Sequence, residues 1–147
     1  MLVSSLLLLL NLVLGYALVS QSTSSMKALI QQRMLDIANP AAAMLDGDAL
    51  EQLTPDNKNS EAYRRTFQIL DSFRQTIDLE YIYGIRQLDD GTFVFTVDPD
   101  PDDPGEFGKP VATTDALVEA ANGTPAVDDT PYEDSWGRFY RCVQSGL

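Results

Sequence analysis

An α+β domain behind an N-terminal membrane helix is the fold class this sequence predicts, on three observations. Residues 2–19 form an apolar run with five consecutive leucines at 6–10, and no charged side chain stands between Met1 and Lys27. Two stretches of helical periodicity follow. From Glu80 the period changes to short aromatic and β-branched runs separated by turn residues, the pattern of antiparallel strands.

The apolar run has the length of a membrane span. As a helix rising 1.5 Å per residue, its eighteen positions cover roughly 27 Å, close to the hydrocarbon thickness of a bilayer. A secretory signal would carry a basic start and a small-x-small exit; here the basic start is missing and the exit reads Ala17-Leu18-Val19-Ser20-Gln21. Residues 1–20 therefore read as a transmembrane anchor and residues 21–147 as one domain, of a size that supports a single modest core. Lys27 and Arg33 follow the span, which by the positive-inside rule points the body into the cytoplasm. The reading preferred here is a basic cytoplasmic stub upstream of Met1, which leaves the body outside.

Charge narrows the function classes. The net charge is −12, and residues 1–86, 87–137 and 138–147 contribute −2, −12 and +2, so one segment holds the whole imbalance. Such a field repels nucleic-acid phosphates. Histidine is absent, which removes Ser-His-Asp and Cys-His nucleophile systems and most zinc sites. The single cysteine, Cys142, forbids an internal disulfide. No catalytic residue and no cofactor is implied.

Each element has its own local reason. Ile30, Met34, Ile37, Ala41 and Met44 are spaced 4, 3, 4, 3, an apolar helical stripe after a polar exit at 20–25. Pro40 predicts a bend with a restart, Gly47 a helix end, and Asp48 with Glu51 a new start. Turn residues at 54–60 lead, with Ser60 or Asn59 as cap, into a helix over 61–78 whose apolar face is Tyr63, Phe67, Leu70, Phe73 and Ile77. Residues 81–86 and 92–97 read as a hairpin around Asp89-Asp90-Gly91. Pro99, Pro101, Pro104, Gly105 and Gly108 make 98–110 irregular, a short helix covers 114–121 and ends at Asn122-Gly123, and 136–140 reads as a third strand.

In this order the parts resemble the extracytoplasmic Cache (PAS-like) sensor domains of bacterial transmembrane signalling proteins, such as those in front of diguanylate cyclases, histidine kinases or chemoreceptor signalling regions. The likeness lies in Ala43-Met44-Leu45-Asp46-Gly47-Asp48, Tyr81-Ile82-Tyr83, Phe93-Val94-Phe95, the Asp/Pro run from Asp98 to Pro104, and Pro131-Tyr132-Glu133-Asp134-Ser135-Trp136-Gly137. It covers most of 26–140. The resemblance implies a membrane-anchored ligand-sensing domain with a PAS-like antiparallel sheet. It also implies further strands, a second membrane helix and an output module, where this chain has Arg141-Cys142-Val143-Gln144-Ser145-Gly146-Leu147. The expectation is thus a sheet incomplete at its C-terminus, in a piece of a receptor whose parent carries the output activity.

Cache domains grip a small-molecule ligand with strand side chains and the loops over them. Carried to matching positions, the resemblance implies ligand binding by Tyr83, Arg86, Phe95, Asp98, Asp134 and Trp136. Arg86 would suit a carboxylate, whereas Asp98 and Asp134 would favour an amine; as ordinary structure, the aromatics are core and Arg86 balances an acidic rim. Asp98-x-Asp100-x-Asp102 matches the start of a calcium loop, but Asp103 stands where that loop needs glycine and Lys109 where it needs glutamate. A solvated acidic loop is the simpler reading, and no metal is assigned. The stripe from Ile30 to Met44 suits either a homodimer seam or contact with the domain's own sheet. The alternatives to a sensor are a membrane-anchored acidic module for a cation or basic partner, and a small carboxylate-based hydrolase.

Overall fold

The computed structural model describes residues 2–58, 60–134 and 137–145. Among them the fold is mixed: a long N-terminal apolar helix, three shorter helices and small antiparallel sheets. Two units emerge, Met1–Met34 and Leu35–Leu147.

Helix α1, Leu2–Ala43, has 42 residues and runs through the polar stretch expected to be an exit. Two of its polar side chains bond back onto the helix: Asn11 Nδ2 donates to Leu7 O at 2.8 Å and Thr23 Oγ1 to Val19 O at 2.9 Å. Amide and hydroxyl groups bonded in this way can stand where water is absent. Among the described residues α1 is the one helix long and apolar enough to cross a membrane, and none of that apolar window is buried. The restart expected at Pro40 does not occur, because the helix continues through it and stops at Ala43. A proline this close to the C-terminus removes one amide donor near an end that is finishing anyway.

The next cap also differs from expectation. Helix α2, Gly47–Glu51, is capped by Asp46, whose carboxylate accepts from Ala49 N at 3.1 Å, so Gly47 opens this helix instead of ending the previous one. Asp46 has extended backbone and stands three residues before the orphan N–H, which is the geometry a cap requires. A 3-10 turn, Pro55–Asn57, follows. Helix α3, Glu61–Ile77, starts at Ser60, whose hydroxyl accepts from Tyr63 N, and ends at Asp78 in the left-handed region at φ 56°. Its Leu70 is buried, and Tyr63 and Phe67 pack beside it.

Strands β1, Ile85–Gln87, and β2, Phe93–Phe95, pair antiparallel with Ile85 opposite Phe95 and Gln87 opposite Phe93. The turn is built as the sequence predicts. Gly91 N donates to Leu88 O, Gly91 takes φ +85°, and the Asp90 carboxylate accepts from Thr92 N, which holds that carboxyl below its usual range. The ladder is shorter than expected, because 81–83 pair with nothing in it. Past Phe95, Gly84 accepts from Thr96 N and donates to Val97 O, so two residues oppose one. That bulge re-aims the strand: Phe93 and Phe95 enter one apolar cluster and Val97 another. Only glycine fits opposite it, since a Cβ on residue 84 would lie 2.6 Å from Thr96 Oγ1. The other edge of β2 is taken by 108–111, through Gly108 N to Phe95 O, Phe95 N to Lys109 O and Val111 N to Phe93 O.

The C-terminal part holds helix α4, Asp115–Ala121, with Thr114 as its cap, and strands β3 (Ala126–Val127), β4 (Tyr132–Asp134), β5 (Gly137–Phe139) and β6 (Cys142–Val143). The strand expected at 136–140 is β5, and it pairs with β4. Arg141 to Val143 are not a bare end: β6 pairs with β3. Buried Asp128 and Arg141 tie this region together. The Asp128 carboxylate accepts from Ala116 N at the start of α4, Asp128 N donates to Arg141 O, and Arg141 Nη1 donates to Ala112 O at 2.7 Å. Among the described residues the strands form three separate two-stranded antiparallel ladders, not the one incomplete sheet that was expected.

Two apolar clusters form the interior. One joins Leu53, Leu70, Val97 and Phe107; the other joins Phe93, Phe95, Val111 and Leu117. Leu53 is 1% exposed, so Leu53→Ala leaves a cavity among Leu70, Val97 and Phe107. Urea unfolding of the chain in detergent micelles, followed by circular dichroism, is expected to show a loss of about 2–5 kcal/mol. A loss below about 1 kcal/mol, the scale of an ordinary surface change, would contradict this placement.

Candidate functional site

The irregular segment after β2 is organised by its own aspartates. Asp98 Oδ1 accepts from Asp100 N and Oδ2 from Gly105 N, both at 2.9 Å, and Asp100 Oδ1 accepts from Asp102 N at 2.9 Å. Side-chain oxygens thus accept from loop amides in a segment where prolines at 99, 101 and 104 interrupt regular pairing. The same hydrogen bonds account for Asp98-x-Asp100-x-Asp102, which serves as consecutive Asx turns. Among the described residues no group of three or more His, Cys, Asp or Glu is placed to hold a metal ion.

Between this loop and α3 opens a cleft of about 410 Å³, within the size range of small-ligand sites. Aromatic walls come from Tyr63 and Phe67 of α3 and from Phe107; Thr96 and Asp98 come from the end of the hairpin, Asp100 and Glu106 from the loop. Lys58 also lines it, with its ammonium 5.8 Å from the centre of the Phe107 ring. Burial raises the Asp98 carboxyl above the usual carboxylate range, although the Gly105 and Asp100 amides pull it the other way. Tyr63 is raised as well, by burial first and then by the charge of Asp98. The cleft therefore combines a desolvated carboxyl, aromatic faces and an open mouth.

The six residues predicted from the sequence are not gathered at one place. Asp98 lines the cleft. Tyr83 and Phe95 meet edge to face at 5.0 Å inside the second apolar cluster, where Phe95 is buried. Arg86 points at the end of α2, where Nη1 donates to Glu51 O at 2.9 Å and to Leu53 O at 2.8 Å. It thereby satisfies helix-terminal carbonyls, a tie between α2 and the hairpin. The backbone of Asp134 pairs with Gly137, while its side chain and Trp136 lie outside the described residues. Of the residues that line the cleft the sequence reading named Asp98 alone for ligand binding, and it missed Lys58, Tyr63, Phe67, Glu106 and Phe107 among others. Tyr63 and Phe67 carry the same signal as core, and they are half core. The usable signal was Phe107, a lone aromatic in a segment otherwise made of Asp, Pro, Gly and Glu.

Compared with known proteins, the chain matches no family model, no curated protein sequence and no solved structure.

Two outcomes follow from these environments. Asp98→Asn removes one of two carboxylate oxygens that serve loop amides, with an expected loss of about 1 kcal/mol at neutral pH. Because the folded carboxyl titrates above its unfolded value, its pH-linked stabilisation is complete below the unfolded value of 3.8 and is lost as pH rises through the folded one. The wild type should therefore exceed the variant by more at pH 3 than at pH 7 in denaturant titrations, and a constant gap would refute the shift. Cys142 is half-buried, and burial followed by the charge of Asp128 pushes its thiol from the ordinary 9.0 up to about 11. Alkylation by iodoacetamide at pH 8 should run about 100-fold slower in the folded chain than in urea, since the thiolate is the nucleophile. Equal rates would show the thiol to be unperturbed.

Proposed function

We propose that this protein is the membrane-anchored, extracytoplasmic ligand-sensing domain of a signal-transduction receptor of the Cache (PAS-like) type. The observation that carries the reading is α1: one 42-residue helix holds an uncharged segment of lipid-spanning length and, further on, Ala41, buried in the folded unit. The aromatic and acidic cleft supports a ligand role, and the order of helix, helix, aromatic hairpin, Asp/Pro loop and short helix supports the Cache likeness. Met26, Leu29 and Ile30 are exposed on α1 and are the side chains that a second copy would cover in a homodimer. In this reading the chain does no catalysis, and the output belongs to another module of the receptor.

Reporter fusions at the C-terminus test the topology. In a bacterial host, alkaline phosphatase fused after Leu147 is expected to be active, green fluorescent protein at the same place dark, and both products to sediment with membranes until detergent is added. Active fluorescence with inactive phosphatase, or a product soluble without detergent, would overturn the proposal.

A further inference from the structure

The Lys58 ammonium over Phe107 shows that the cleft accepts a positively charged nitrogen against its aromatic wall. A cation over an aromatic face is attracted by the ring quadrupole, and more strongly when nearby water is excluded. Lys58 is an exposed side chain on a flexible stem, so ordering it there costs rotamer entropy. Three acidic residues, Asp98, Asp100 and Glu106, line the cleft against the single lysine, and the segment around them carries the chain's excess negative charge. An anion entering here would meet that field, whereas a cation would be drawn in. We propose that the cleft binds a small organic ammonium ion, whose charged nitrogen displaces that of Lys58 from the Phe107 ring and sits among the lining residues Asp98, Asp100 and Glu106. Lys58 then acts as a tethered competitor that occupies the site until the ligand arrives. The inference rests on the reading of this protein as a ligand-binding module and adds the chemical class of its ligand.

The full-length chain in lipid nanodiscs is titrated calorimetrically with choline and putrescine as cations, acetate as an anion and glycerol as a neutral probe. Both cations are expected to bind, and acetate and glycerol to give no heat. Phe107→Leu, which keeps an apolar side chain in the cluster, should weaken cation binding about tenfold by removing the ring. Glu106 is exposed, so Glu106→Gln should leave unfolding unchanged and weaken binding about threefold, while Lys58→Gln should tighten it about threefold. Cation binding that ignores Phe107→Leu and Lys58→Gln would overturn the site. Acetate or glycerol binding that is lost in Phe107→Leu, without cation binding, would overturn the ligand class and leave the ligand-binding reading standing. Silence with all four probes overturns the inference, and the topology reporters judge the sensor reading separately.

Discussion

With every residue from Phe93 to Val97 buried, the backbone amides and carbonyls of this segment have no water to bond and must find partners in the chain. They find them on both sides. β1 supplies one edge, 108–111 supplies the other, and Gly84 bridges the bulge at Thr96 and Val97. The remaining organisation of the folded unit follows from this strand. Phe93 and Phe95 bring Val111 and Leu117 together on one side, while Val97 joins Leu53, Leu70 and Phe107 on the other. The close approach of Gly105 to the Phe95 ring, where a Cβ would fall 2.7 Å from a ring carbon, lets the Asp/Pro loop fold back over the strand end.

An acidic segment so close to a core raises an electrostatic problem, and backbone donors meet much of it. Asp98 and Asp100 bind the amides of their own loop, Asp90 binds Thr92 N in the turn, and Asp128 binds Ala116 N at the start of α4. Amide dipoles are fixed by the chain and cost no side-chain entropy. Two arginines reach carbonyls, Arg86 at the end of α2 and Arg141 at Ala112, while Arg74 pairs with Asp71 on α3. At the cleft, Asp98 is held chiefly by loop amides, with a smaller electrostatic contribution from Arg74.

Several parts of the fold were legible in the sequence because their causes are local. The apolar span, the Ser60 cap, the Gly91 turn and the apolar face of α3 all depend on side chains within a few residues of one another. The cap at Asp46 was misplaced by two residues, since Asp46 and Asp48 carry the same local chemistry and only the backbone path selects between them. Strand pairing was less legible. Tyr81-Ile82-Tyr83 has strand composition, yet β2 bulges and then leaves toward Pro99, and the run lies outside the ladder; Tyr81 stacks edge to face on Phe139 at 5.3 Å. The ladder of β3 with β6 spans two residues on each side, too short for any periodicity.

The sequence by itself determined that the chain opens with a lipid-length helix, that its acidity sits in one segment, and that a hairpin divides helical from irregular parts. Those are properties of neighbours along the chain. The tertiary structure decided which charged and aromatic residues work together: it sent Arg86 to the end of α2, placed Tyr83 and Phe95 in the core, and assembled the cleft from Lys58, α3, Asp98 and Phe107. Such a grouping depends on where a bulge turns a strand and where a loop finds its hydrogen bonds. Both are settled by contacts between residues far apart in sequence, which no local pattern records.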